Sequence, residues 1–215
     1  MNRAHRFSAI RPICAMGFLA LFLTTGCASF RSQTVQPASG WPPASSKDID
    51  SRPVAFMRVR ATMQDNVMSR KPTEVAAQAD FLRAIASRTA RESSLFKRVG
   101  FDAATEAKAD YKITAEVAAK ANAGMGTIAW AGLCGASLFI IPCTFTESLT
   151  FTGQVQDRSG TELARFEYRE DIRTWFHLFM LPLFGKRPET VYDAVKEDMF
   201  KCFFQDMKSR GTLGD

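Results

Sequence analysis

The chain has 215 residues, of which 46% are hydrophobic and 23% are charged. These values fit one globular domain and exclude collagen-like, coiled-coil and low-complexity chains. Half of the net charge of +6 comes from three arginines in residues 1–26, a segment without acids. Subtracting them from the 28 basic residues leaves 25 against 22 acidic residues, so nothing in the charge calls for a nucleic-acid partner. Only His177 remains beyond the same segment, which excludes a histidine-cluster metal site.

Residues 1–26 have the organisation of a lipoprotein signal peptide. The arginines precede an apolar run from Ile13 to Leu23, which is too short to span a bilayer. The next residues, ending in Gly26 and Cys27, resemble the lipobox of bacterial lipoproteins, with Thr24 in place of the usual Leu. The resemblance implies cleavage before Cys27 and acylation of its thiol. The alternative is an ordinary secretory signal followed by an incidental cysteine.

The residues after Cys27 bear on location. Acyl chains on Cys27 would hold the protein on membrane lipid without a spanning helix. Ala28, in place of an aspartate, resembles lipoproteins that are exported to the outer membrane of diderm bacteria and face the periplasm. The stretch up to residue 53 is rich in Ser, Pro and Gln and lacks helix or strand periodicity. We therefore expect residues 27–53 to form the lipidated cysteine and a flexible tether, holding the body roughly tens of Å from the lipid.

Residues 54–210 carry the pattern of a single α+β domain. The hairpin turn is expected at residues 157–160, whose sequence Asp-Arg-Ser-Gly suits a type I turn with a bulge. The order β-α-β-β-β-β-α favours one antiparallel-rich sheet with two helices on one face. Alternating or helically spaced apolar residues predict strands at 54–60, 95–99, 111–120, 149–156 and 161–173, and helices at 73–93 and 188–209.

Two apolar segments without charged side chains interrupt this domain, at residues 121–146 and 174–185. A transmembrane helix in the first would separate strands of one sheet across the bilayer, and the second is too short to return the chain. In an antiparallel meander both segments project from one edge of the sheet. They are expected to complete the core, to contact the membrane or to bind a protein. The candidate contact residues are Ile128, Trp130, Leu133, Leu138, Phe139, Ile140, Ile141, Trp175, Phe176, Leu178, Phe179 and Leu181.

Cysteine positions suggest a disulfide. Cys14 leaves with the signal peptide and Cys27 is acylated, so Cys134, Cys143 and Cys202 remain. The oxidising envelope favours a bond between Cys134 and Cys143, which flank eight residues. The alternative is three buried thiols.

The body also resembles small, mostly uncharacterised proteobacterial envelope lipoproteins over roughly residues 27–209. Besides Cys27, the resemblance rests on DYKITAEV at 110–117, IIP at 140–142, QDRSGTEL at 156–163 and TWFHLFMLPLFG at 174–185. More distantly, the order of elements is similar to the domain shared by the TolB N-terminal region, penicillin-binding-protein activator lipoproteins and the curli-secretion lipoprotein. The last of these relatives inserts segments between its strands into the outer membrane. The resemblance therefore implies that the apolar segments contact membrane.

Catalytic patterns are weak. The sequence contains no Walker A, HExxH, CxxC or GxSxG motif, and His177 lies in an apolar segment where a structural role is expected. We predict a non-catalytic accessory lipoprotein without cofactor or metal, whose apolar loop edge contacts membrane or an envelope protein, or which self-associates. The alternative is an oligomeric export or transport component whose loops insert into the membrane.

Overall fold

A computed structural model of the chain describes residues 26–43, 48–65, 72–122, 125–137, 140–177 and 187–213. They form an α+β fold around one mixed sheet, as the order of elements predicted. The strands are β1 (Gly26–Arg31), β2 (Val54–Asp65), β3 (Thr73–Glu74), β4 (Arg98–Gly100), β5 (Tyr111–Ala121), β6 (Cys143–Asp157) and β7 (Glu162–His177). The helices are α1 (Ala76–Ser93), α2 (Ala103–Glu106), α3 (Met125–Ala136) and α4 (Pro188–Ser209), with a short 3-10 turn at Ile49–Ser51.

The sheet has the order β1-β7-β6-β5-β2-β3. Strand β4 is outside this order and pairs with the start of β2, whereas β3 pairs near the end of β2. The pairs β5–β6 and β6–β7 are antiparallel, whereas β2 runs parallel to β5 and β4. The meander of β5, β6 and β7 is therefore as predicted. The parallel pairs arise because α1 carries the chain back from the end of β2 to the level of its first residues, so that β4 and β5 run in the same direction as β2.

One face of the sheet holds the core. Alternate residues of β5, β6 and β7 point toward α1 and α4, and a cluster of phenylalanines joins the sheet to α4. Gly153 on β6 makes this packing close, because a Cβ there would lie 2.4 Å from the Phe203 ring. The opposite face carries the alternating polar residues, among them a row of threonines on β6. Period-two and period-3.6 patterns thus predicted the correct faces.

Several boundaries differ from the predictions. Strand β2 continues past the predicted end at residue 60 to Asp65, because β5 offers a full ladder of partners. Thr73 pairs with Met63 in β3, and α1 begins two residues after Glu74, at Ala76. The 95–99 strand is reduced to β4 at 98–100, and Asp102 caps the unpredicted α2. The helix over 188–209 has the predicted bounds.

The largest difference concerns the expected tether. Residues 26–31 form β1, which pairs with β7 throughout its length. Ala28 and Ser29 are fully buried, and Val35 belongs to the core cluster. The prediction of a flexible tether is therefore wrong for residues 27–43. Its composition concealed a strand because the six residues are stabilised by pairing with β7 rather than by a periodic apolar stripe.

Candidate functional site

Three strands project from the sheet at the end where β5 stops. Ala121, the last residue of β5, pairs with Glu147, and β6 begins four residues further out at Cys143. At about 3.4 Å per residue, the projection is about 13 Å long. It consists of β1, residues 143–146 of β6 and residues 173–177 of β7, here called the projecting strands.

Helix α3 lies against these strands and is attached by a covalent bond. Cys134 and Cys143, the pair that the cysteine count favoured, form a disulfide. Both cysteines are buried, whereas most other residues of α3 are exposed. Ser137 ends the helix by donating to the Cys134 carbonyl at 2.8 Å, and its hydroxyl accepts from the Ile141 amide at 3.2 Å. The chain is thereby held next to the start of β6.

Exposed apolar side chains are concentrated here. Among the described residues ten large hydrophobic side chains are exposed, and six of them lie on α3, on the segment after it or on the projecting strands. Their exposed fractions run from 37% to 59%. We call this set the apolar end: Phe30, Ile128, Trp130, Leu133, Ile140 and Phe176. None of the six belongs to the core cluster, so the described part of the first apolar segment does not complete the core.

Cys27, the predicted acylation site, lies at the apolar end. It pairs with Phe176, which in turn pairs with Cys143. Directly paired residues on adjacent strands share a face, so Cys27, Phe176 and the disulfide form one cross-strand row. Cys27 is half-buried and its thiol is not in a disulfide. Acyl chains on this sulfur would therefore emerge beside α3.

Polar contacts join the projecting strands to each other and to the helical layer. The Tyr192 hydroxyl donates to Glu147 Oε2 at 2.6 Å, and Ser29 and Thr174 share a hydroxyl hydrogen bond of 2.6 Å between β1 and β7. Burial, followed by the hydrogen bond to the Glu147 carboxylate, raises the pKa of Tyr192 far above its usual value. The phenol stays protonated and donates. Helix α4 is thus joined to β6 by a charged hydrogen bond at this end.

The predicted contact residues divide into three groups. Ile128, Trp130, Leu133, Ile140 and Phe176 are exposed together at the apolar end, as a contact surface requires. Ile141 and Trp175 are half-buried. Leu138, Phe139, Leu178, Phe179 and Leu181 lie outside the described residues. Sequence reasoning missed Phe30, because it assigned residue 30 to a tether.

The described residues include no group of three or more His, Cys, Asp or Glu side chains that could hold a metal. A surface cavity of about 420 Å³ between residues 34–39, β7 and α4 contains Cys202. Burial raises the pKa of Cys202, and its thiol donates a hydrogen bond to the Gln36 carbonyl at 3.2 Å. A protonated thiol in this position is a poor nucleophile. This cavity therefore offers no activated cysteine.

Comparisons with known proteins assign the chain to no family. No protein-family model matches the chain. No curated protein matches it either. Among solved structures, it is similar to a PelC variant dodecamer from Paraburkholderia phytofirmans, with 11% sequence identity and a TM-score of 0.26 over 70% of this chain and 80% of that chain. A similarity with so low a TM-score does not indicate a shared function.

Proposed function

We propose that the protein is an envelope lipoprotein, anchored to the outer membrane by acylated Cys27, whose apolar end lies in the lipid surface. Its role is that of a non-catalytic accessory component facing the periplasm. The observation that carries the proposal is the position of Cys27 on the same row of strands as the disulfide that holds α3. Anchor and exposed apolar side chains therefore meet at one end of the domain.

The missing tether favours lipid over a soluble partner for this surface. Because β1 starts at the anchor and is paired at once, the apolar end cannot move far from the lipid to which Cys27 is attached. Exposed apolar area so close to a bilayer is removed from water by inserting into it, at about 25 cal/mol per Å². Trp130 and Trp175 also belong to the residue type that favours the membrane interface.

The contact is shallow. None of the helices formed by the described residues is both long and apolar enough to cross a bilayer. Helix α3 has 12 residues and is about 18 Å long, less than the hydrocarbon thickness of about 30 Å. A helix of this kind lies in the interface. The proposed arrangement is an acyl anchor with an adjacent interfacial helix.

Depth-dependent fluorescence quenching tests the proposal. The lipidated protein, with Trp41→Phe and Trp175→Phe so that Trp130 alone emits, is reconstituted into phosphatidylcholine vesicles with brominated acyl chains. We expect bromine to quench Trp130 strongly, because contact quenching requires the indole to touch the acyl region. Emission from Trp130 that is unaffected by bromine would contradict membrane contact by α3.

Trp41 provides the matched control in a Trp130→Phe and Trp175→Phe protein. Its indole donates to Glu92 Oε2 at 3.3 Å, near the end of α1. That helix ends beside the start of β2, whereas the apolar end lies beyond the last residue of β2. The 12 residues of β2 separate the two places by about 37 Å. Trp41 should therefore escape quenching in the same vesicles.

The edge position of β1 favours a second candidate function, an oligomeric export or transport component. Strand β1 is the terminal strand of the sheet, and its second side has no partner strand among the described residues. Such an edge can pair with another copy. Light scattering of the detergent-extracted lipidated protein tests this candidate: a stable oligomer supports it, and a monomer at all concentrations contradicts it.

A further inference from the structure

Two basic side chains stand on the polar face of the sheet close to the apolar end. Arg173 lies on the projecting part of β7, and Lys120 lies next to the end of β5. Both are exposed, and neither makes an ion pair with another described residue. Residues two apart on a strand share a face, so Arg173 and Trp175 point to the same side. An interfacial aromatic residue and a free cation are thus neighbours.

The nearest acidic group on the same face of the sheet is already engaged. Asp171, two residues before Arg173 on the same face, accepts from Ser148 Oγ at 2.6 Å and lies 3.7 Å from Arg169 Nε. Across the strands, Arg173 faces Thr146 and Phe30, and Lys120 faces Ser148 and Gln64. None of these four partners carries a charge. The two cations therefore have unneutralised charge to offer an external anion.

Their depth matches that of lipid headgroups. Phe176 belongs to the apolar end, and Arg173 lies three residues further from it along β7, about 10 Å. The headgroup layer occupies about 5–8 Å on each side of the hydrocarbon core. A long arginine side chain can reach back toward the apolar end by several Å, and Lys120, about two residues deeper in the domain, can extend in the same direction. With Phe176 at the hydrocarbon boundary, the guanidinium reaches the level of the lipid phosphates.

Resting on the proposed function, we infer that Arg173 and Lys120 bind anionic phospholipid headgroups, so that the protein gathers anionic lipid around its anchor. Arginine suits this role because its guanidinium can donate two hydrogen bonds to one phosphate. Each cation near an anionic membrane surface favours anionic over neutral lipid by about fivefold. The preference falls as salt screens the charges.

Trp175 is the natural reporter because it lies beside Arg173. The lipidated protein with Trp41→Phe and Trp130→Phe is reconstituted into mixed phosphatidylcholine and phosphatidylglycerol vesicles, with bromine on one lipid at a time. We expect brominated phosphatidylglycerol to quench Trp175 more than its mole fraction predicts, with an enrichment of about fivefold per cation. In a variant that combines Arg173→Gln with Lys120→Gln, each lipid should quench Trp175 in proportion to its mole fraction.

Arg165→Gln is the matched control. It removes the same charge from the same face of the same strand, eight residues or about 27 Å from Arg173. It should leave the enrichment unchanged. If, in the protein that retains Arg173 and Lys120, each lipid quenches Trp175 only in proportion to its mole fraction, the headgroup inference is overturned. Membrane contact would remain supported by that result. If neither lipid quenches Trp175 or Trp130, the proposed membrane contact itself fails.

Discussion

Glu170 is a fully buried carboxylate in the middle of β7 that organises the chain after β1. It accepts hydrogen bonds from the Gln33 and Val35 amides at 2.6 and 2.7 Å and from the Ser32 hydroxyl at 3.0 Å. Arg31 Nε lies 3.8 Å from Glu170 Oε1, and Arg31 Nη1 forms an ion pair with Asp198 Oδ2 on α4 at 2.5 Å. The carboxylate therefore replaces the water that these backbone amides would otherwise need.

Glu170→Gln should loosen the chain after β1 without disturbing the sheet. The amide keeps the shape but turns one acceptor into a donor that faces backbone N–H groups, at a cost of about 1–3 kcal/mol in the free energy of unfolding. Chemical denaturation measures the loss, and amide hydrogen exchange should increase first at residues 31–35. Glu167→Gln is the control, because Glu167 is exposed on the same strand. An equal loss in both variants would contradict the assigned role of Glu170.

At the scale of elements, the disulfide and α3 form a unit that is separate from the core. None of the α3 residues whose burial the structure describes belongs to the core cluster, whereas four residues of β5, the strand before α3 in the chain, belong to it. The Cys134–Cys143 bond joins residues separated by nine positions in the chain, for which chain-entropy arguments give about 2–3 kcal/mol. That energy acts on the docking of α3 rather than on the global fold.

Replacing both cysteines by serine should therefore release α3 and spare the domain. We expect amide exchange to accelerate over residues 125–136 while β5, β6 and β7 keep their protection, and we expect Trp130 to be quenched less by brominated lipid. Cys202→Ser, which touches no disulfide, is the control. Loss of protection throughout the sheet in the double variant would show that the disulfide supports the whole domain.

The sequence was informative where periodicity is imposed by burial and uninformative where pairing alone creates order. The alternation of Ile113, Ala115 and Val117 with polar residues placed β5 correctly, because one face of that strand packs on helices. Strand β1 escaped notice because its buried Ala28 and Ser29 are small and consecutive, so no period of two is visible. Position 30 was lost from the candidate site for the same reason. The position of α3 and of residues 174–177 at one edge was predictable, since the order of strands in a meander determines it.

At the scale of the whole molecule, the proposed anchor at Cys27 restricts the orientation of the body, because no tether separates it from β1. Strands β6 and β7 run from the apolar end to the turn at residues 157–160, where Gly160 has a φ of +89°. The 15 residues of β6 make this distance about 45 Å. A body standing on its apolar end holds the turn that far from the lipid, whereas a body lying on the polar face of its sheet brings the turn close to the headgroups.

Energy transfer from the hairpin turn to the membrane distinguishes these orientations. Ser159→Cys in a Cys202→Ser background gives an exposed labelling site, because the proposed acylation occupies the Cys27 thiol and Cys134 and Cys143 are bonded to each other. With an acceptor on lipid headgroups, a donor at Ser159 should report about 45 Å, and a donor introduced by Lys120→Cys should report less than about 20 Å. The two donors then differ strongly in transfer efficiency. Similar, high efficiencies at both sites would mean that the sheet lies along the membrane, and would overturn the upright orientation.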